Sequence, residues 1–194
     1  MMKILKFLPL ILAASVLTAC SSNSDSAASS CEPGKLTTVT DGVLTIATGE
    51  PAYYPWVIDD KPESGQGFEA AVALAVAKEL GYEGDAVKWV RTTFDSAITP
   101  GDKNFDFNLQ QFSITEDRKK AVDFSEPYYK STQVIVSFKG SKIANAKSIA
   151  DLANAKLGAA VSTTSLDVIE TTLKLKAQVF NDNAAGVTAL KNKQ

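Results

Sequence analysis

Short β-branched runs alternate with helical segments along most of this chain, and that alternation constrains the fold more than any other feature. Residues 43–48 (VLTIAT) follow the turn Asp41-Gly42 and predict a first buried strand. Residues 68–80 predict a helix in which only Glu69, Lys78 and Glu79 are polar, stopped by Gly81. A helix so apolar must be largely covered, most simply by a sheet. Residues 86–90 predict a second strand, 94–98 a short helix, and 105–109 a third strand by alternation. Thr115, followed by Glu116 and Asp117, reads as the N-cap of another helix. Residues 131–138 (STQVIVSF) predict a longer strand. After Gly140 the pattern restarts: helix 148–154, strand 156–161, a hydroxyl-rich turn 162–165, helix 166–175, strand 177–180 and helix 183–192. The expected class is α/β, with parallel sheets in two lobes. The second lobe would hold two or three strands, a thin sheet for parallel pairing, so the chain reads as cut short at Gln194.

The amino terminus is of another kind. Lys3 and Lys6 precede an apolar run at 7–17. A bilayer needs about 20 such residues, so 1–19 reads as an export signal and not as a membrane span. Leu17-Thr18-Ala19-Cys20 resembles a bacterial lipobox, which makes Cys20 the lipidated first residue of the mature chain. Residues 21–30 hold six serines and no large apolar side chain, so 20–35 is expected to be a flexible tether. Lobe one then spans 36–130 and lobe two 131–194. With Cys20 lipidated, Cys31 has no intrachain partner. It is either a tolerated free thiol or one half of a pair whose other half lies in sequence absent here.

Charge and composition narrow the function. The net charge of -2 falls to about -4 without the leader lysines, and no basic cluster is present, which argues against nucleic acid. The chain has no histidine, which excludes Ser-His-Asp and Cys-His catalysis and every histidine metal site. Only Arg91 and Arg118 are arginines, against 18 lysines. A planar guanidinium grips a carboxylate with two parallel hydrogen bonds, which lysine cannot do.

Parallel α/β lobes bind ligands at the carboxyl ends of their strands. Three segments fall there: the loop with Tyr53 and Trp56, the stretch from Gln110 to Arg118, and the turn 162–165. Arg118 can hold a carboxylate with Ser113 beside it, Thr163 and Thr164 stand at a helix start that favours an anion, and Tyr53, Trp56 and Phe94 can wall a side chain or face a cation. Each residue has a plainer reading. Arg118 can pair with Glu116 or Asp117 on the surface, Thr163-Thr164 can be an ordinary cap, Tyr53 and Trp56 can be core, and Glu69 can be a helix-start charge. Glu116 and Asp117 do not make a catalytic pair, because adjacent helical residues point apart.

Residues 105–129 (FDFNLQQFSITEDRKKAVDFSEPYY) resemble the family-3 extracellular solute-binding proteins of polar amino acid ABC transporters. The similarity is carried by Ser113-Ile114-Thr115, Arg118, Asp123-Phe124-Ser125 and Pro127-Tyr128, with Gly67-Phe68-Glu69 and the 162–165 turn as further matches. The resemblance implies a two-lobed clamshell like that of periplasmic binding proteins, its second lobe incomplete here. It implies that Arg118 holds the α-carboxylate of an amino acid, that Gln110, Gln111 and Ser113 line the lobe-one side, and that Thr163 and Thr164 meet the same carboxylate from lobe two. Tyr53, Trp56 and Phe94 then pack on the ligand side chain. Also implied are a permease partner, an extracytoplasmic, lipid-anchored monomer, and neither catalysis nor cofactor nor metal.

Two departures stand out. Ser162 occupies a position where the family usually has glycine, and the family's continuation of lobe two, with its acidic amine-binding residue, is absent. That continuation would also supply a partner for Cys31. Other readings on the same scaffold are a secreted dehydratase, with Glu69 its one placed acid, a sensory ectodomain, and a fragment that binds nothing.

Overall fold

The computed structural model describes residues 32–194. The expected export signal, the expected lipidation site Cys20, the serine-rich stretch and Cys31 lie outside the described residues. Two parallel sheets organise the rest. In the first, β1 (Leu44–Gly49) lies between β2 (Val87–Thr92) and β3 (Phe107–Asn108). Leu44 pairs with Val87 through to Gly49 with Thr92, and Ile46 and Ala47 pair with Phe107 and Asn108. In the second, β4 (Leu157–Ala160) pairs in parallel with β5 (Ala177–Phe180).

All six residues of β1 are buried, as befits a central parallel strand covered on both faces. Helix α1 (Phe68–Glu79) covers one face. Its contact is a stripe of alanines, Ala70, Ala73 and Ala77, all fully buried. Their small side chains let the helix approach the sheet, where Ala73 and Ala77 join Leu44, Ile46, Tyr82 and Leu109 in one core. The cover is narrower than the helix's composition predicts. Phe68 and Val76 stay about 40% exposed, because only one stripe of a helix can face a three-stranded sheet.

The amino end of α1 is tied to the loop after β1. The first-turn amides of a helix have no partners within it. Here Phe68 N–H donates to the Pro55 carbonyl at 3.1 Å, and the N–H groups of Glu69 and Ala70 donate to the Trp56 carbonyl at 3.0 and 3.3 Å. Gly67 makes this possible. Its φ is +107°, and a Cβ there would stand 2.5 Å from the Trp56 oxygen. Arg91 on β2 fastens the same loop, pairing with the Asp60 carboxylate and donating to the Asp60 carbonyl at 3.2 Å.

Several elements differ from the sequence expectation. The third strand shortens to two residues because the Asp106 carboxylate replaces backbone partners, accepting from Thr45 N–H at 2.6 Å and Val39 N–H at 2.7 Å. Residues 131–138 form no strand. Their β-branched side chains suit an extended backbone, but no neighbouring strand completes a ladder, and Val134 and Val136 are 75% and 70% exposed. The helix after Thr115 is a single 3-10 turn, Arg118–Lys120, and that after Lys147 another, Ile149–Leu152, capped reciprocally by Ser148 and Asp151. Helix α2 (Phe94–Ile98) lies where expected. Helix α3 starts earlier than expected, at Thr164–Asp167, and widens into a π-type turn over Val168–Thr172. Helix α4 (Asn183–Lys191) follows β5. No helix among the described residues is long and apolar enough to cross a membrane.

Ile46 is fully buried at the centre of β1. Ile46→Ala is expected to lower unfolding free energy by about 3 kcal/mol in urea titration, because the packed sheet and helix collapse only partly around the space left behind.

Candidate functional site

A cavity of about 480 Å³ opens where the carboxyl ends of both sheets meet. Its walls come from the segments that follow β1, β2, β3, β4 and β5, together with residues 131–134. The structure brings together all nine residues singled out from the sequence: Tyr53, Trp56, Phe94, Gln110, Gln111, Ser113, Arg118, Thr163 and Thr164.

Arg118 is the buried charge in it, 8% exposed and without an ion pair among the described residues. The surface acids beside it pair with lysines instead, Glu116 with Lys119 and Asp117 with Lys120. The guanidinium lies over Phe94 and Phe112, 5.3 and 5.6 Å from the ring centroids. One Nη donates to the Ser113 carbonyl at 2.7 Å and the other to the Ser162 carbonyl at 2.8 Å. Arg118 therefore touches the loop after β3 and the turn after β4 at once. Burial pulls its pKa below the ordinary arginine value and the Asp167 charge opposes that, but a guanidinium starts high enough to stay protonated. Two of its five N–H donors are engaged, which leaves three for a ligand.

Two of the other residues also spend side-chain polar groups on local partners. Thr163 uses its hydroxyl as the N-cap of α3, accepting from Leu166 N–H at 3.2 Å and donating to the Ala160 carbonyl at 2.7 Å. Gln111 turns its side-chain amide nitrogen inward, onto the carboxylate of Glu69. That carboxylate also accepts from Gln111 N–H at 2.8 Å and from the Tyr128 hydroxyl at 2.6 Å. Glu69 is 1% exposed and does not line the cavity. It is neither a solvated helix-start charge nor a base placed for catalysis in the cleft. Instead it holds Gln111 at φ +53°, a conformation non-glycine residues seldom adopt. Burial, then the hydrogen bond to Glu69, push the Tyr128 pKa far upward, so this hydroxyl remains a donor at all ordinary pH values.

Thr164, Ser113 and Gln133 connect the two sides. The Ser113 and Thr164 hydroxyls are 3.4 Å apart, and Gln133 donates to Thr164 at 3.2 Å while accepting from Ser165 at 2.7 Å. Tyr53 accepts from Ala184 N–H at 3.3 Å, and its pKa is raised chiefly by burial. Trp56 packs edge-on against Tyr129 and Phe68, so its ring serves both core and cavity.

The sequence reading missed two acids in the lining, Glu50 and Asp182, and the aromatic Phe112 beneath Arg118. The signal for the acids was present, since each directly follows a β-strand's carboxyl end or its closing turn. With Arg118 they make up the charged lining: one cation and two anions.

The profile of the bacterial extracellular solute-binding proteins, family 3, matches residues 44–192. A probable histidine-binding protein of Campylobacter jejuni is 30% identical over 152 residues, covering 77% of this chain and 57% of that protein. The arginine-binding extracellular protein ArtP of Bacillus subtilis is 36% identical over 149 residues, covering 74% of this chain and 52% of its own length. Among solved structures, an ancestral amino acid-binding protein described as a precursor of cyclohexadienyl dehydratase superposes with a TM-score of 0.61 at 34% identity, over 77% of this chain and 66% of that one. The chain thus spans about half the length of the curated relatives it matches.

Glu69→Gln keeps the shape of the side chain but places a donor among three donors. It is expected to lower unfolding free energy by about 2 kcal/mol in denaturant titration, with Glu69→Asp intermediate.

Proposed function

This chain belongs to the bacterial extracellular solute-binding proteins, family 3, and from that membership we propose that it captures an amino acid outside the cytoplasm and presents it to an ABC transporter permease. The observation that carries the reading is Arg118: a buried guanidinium, unpaired by any acid among the described residues and stacked on two aromatic rings. In water an arginine gains little from a carboxylate. In a walled site the same pair is a strong, charge-assisted fork, and much of the guanidinium's desolvation is already met in the folded chain. Arg118 would take the α-carboxylate, with Ser113 and Thr164 alongside it. Thr163 contributes by shaping the turn, and Gln110 and Gln111 by forming the wall beneath.

The lining also supports a ligand class. Beyond Arg118 its charges are Glu50 and Asp182, and its aromatic faces include Tyr53 and Trp56. An amino acid with a cationic side chain carries one negative and two positive charges, the complement of this lining. Aromatic faces beside a desolvated cation add about 1 to 2 kcal/mol. The name of the arginine-binding relative accords with that class. Capture is binding without covalent chemistry, and it needs no cofactor or metal. Contacts from both lobes to one ligand would favour closure, which forms the surface a permease reads. In this reading Cys20 carries a lipid, 20–35 tether a monomeric body, and 36–130 and 131–194 are its two lobes.

Calorimetric titration with L-arginine, L-lysine, L-histidine, L-glutamine and L-glutamate tests the proposal. Cationic amino acids are expected to bind tightest. Arg118→Ala should weaken that ligand at least about 100-fold and Arg118→Lys about 10-fold, because lysine restores the charge but not the fork. Equal affinity in Arg118→Ala would rule the assignment out. For the anchor, Cys20→Ala is expected to move the protein from the membrane fraction into the soluble fraction of expressing cells.

A further inference from the structure

Ser162 lies in the turn between β4 and α3 with φ +60°. A residue bearing a Cβ is strained there, as glycine would not be. Its carbonyl accepts from Arg118 at 2.8 Å, a bond that glycine would also make. Its hydroxyl does what glycine cannot: it donates to the carboxylate of Asp95 on α2, which follows a strand of the other sheet. Neither Ser162 nor Asp95 lines the cavity. The bond therefore joins the two lobes at the rim, where a bound ligand neither makes it nor displaces it.

We propose that Ser162 and Asp95 form a latch that fastens the lobes in the closed arrangement independently of ligand. The inference rests on reading the cavity as a cleft that opens and closes. Its consequence is a closed form populated ahead of binding. The apparent affinity of a ligand that needs the closed form scales with that population, and release is slowed by the same bond. Ser162 and Asp95 are positioning residues: their side chains bond each other and not the ligand, and Ser162 presents its carbonyl to Arg118.

Residual dipolar couplings of the ligand-free full chain report the orientation of one lobe relative to the other. Ser162→Ala, Ser162→Gly and Asp95→Ala are each expected to shift the couplings toward an open form, the closed-to-open ratio falling about 3- to 10-fold. The double variant Ser162→Ala with Asp95→Ala should shift them no further than either single change. Ser162→Gly should melt no lower than Ser162→Ala, since glycine relieves the left-handed strain while losing the same hydroxyl. Stopped-flow release of L-arginine should accelerate by the same factor as the coupling change. Couplings unchanged in Ser162→Ala, or additive shifts in the double variant, would overturn the latch. Shifted couplings in a protein that binds none of the amino acids tested would leave the latch standing and sink the ligand reading instead.

Discussion

A guanidinium buried between two lobes is the constraint around which the rest of this molecule is arranged. Arg118 could not be carried into a half-enclosed site without partners for its N–H groups. The carbonyls of Ser113 and Ser162 supply them from opposite sides, and the rings of Phe94 and Phe112 cover its face. Each partner sits just beyond the carboxyl end of a parallel strand. The parallel topology is thus what lets residues far apart in sequence converge on one group, and the positive φ of Ser162 is part of the cost of aiming its carbonyl inward.

A second buried charge stabilises the wall beside the first. Glu69 has no cation, yet it accepts from a backbone amide, a side-chain amide and a phenol. Three donors satisfy the oxygens of a carboxyl group that burial has cut off from water. The effect is geometrical. Gln111 is kept in a left-handed conformation, so the chain turns sharply between β3 and the segment that carries Ser113 and Arg118.

Much of this was legible in the sequence, and what was not has physical causes. The first strand, the alanine-rich helix, α2 and β5 follow from periodicity and from glycine punctuation, which are local signals. The convergence of Tyr53, Gln110, Arg118 and Thr164 on one cavity follows from the rule that parallel sheets bind at their carboxyl ends. Residues 131–138 were misread because β-branched composition reports a tolerance for extended backbone, and not the presence of a neighbour to pair with. That the Gln111 amide and the Thr163 hydroxyl are engaged locally was not legible. Such choices depend on which donor is nearest in space, and a sequence does not carry that distance. Glu50 and Asp182 were overlooked because acids near turns are common, and only the closing of the second sheet against the first gives these two a shared interior.

The loop that carries Tyr53 and Trp56 is not an independent flap. The carbonyls of Pro55 and Trp56 complete the first turn of α1, so loosening of the aromatic wall and fraying of that helix are one event. The amides of Phe68, Glu69 and Ala70 thereby become native reporters of the cleft: their hydrogen exchange tracks how often the wall swings free, without any probe placed in the cavity itself. It also means that the aromatic wall is a preordered surface, and a molecule entering the cavity need not organise the loop before gaining contacts there.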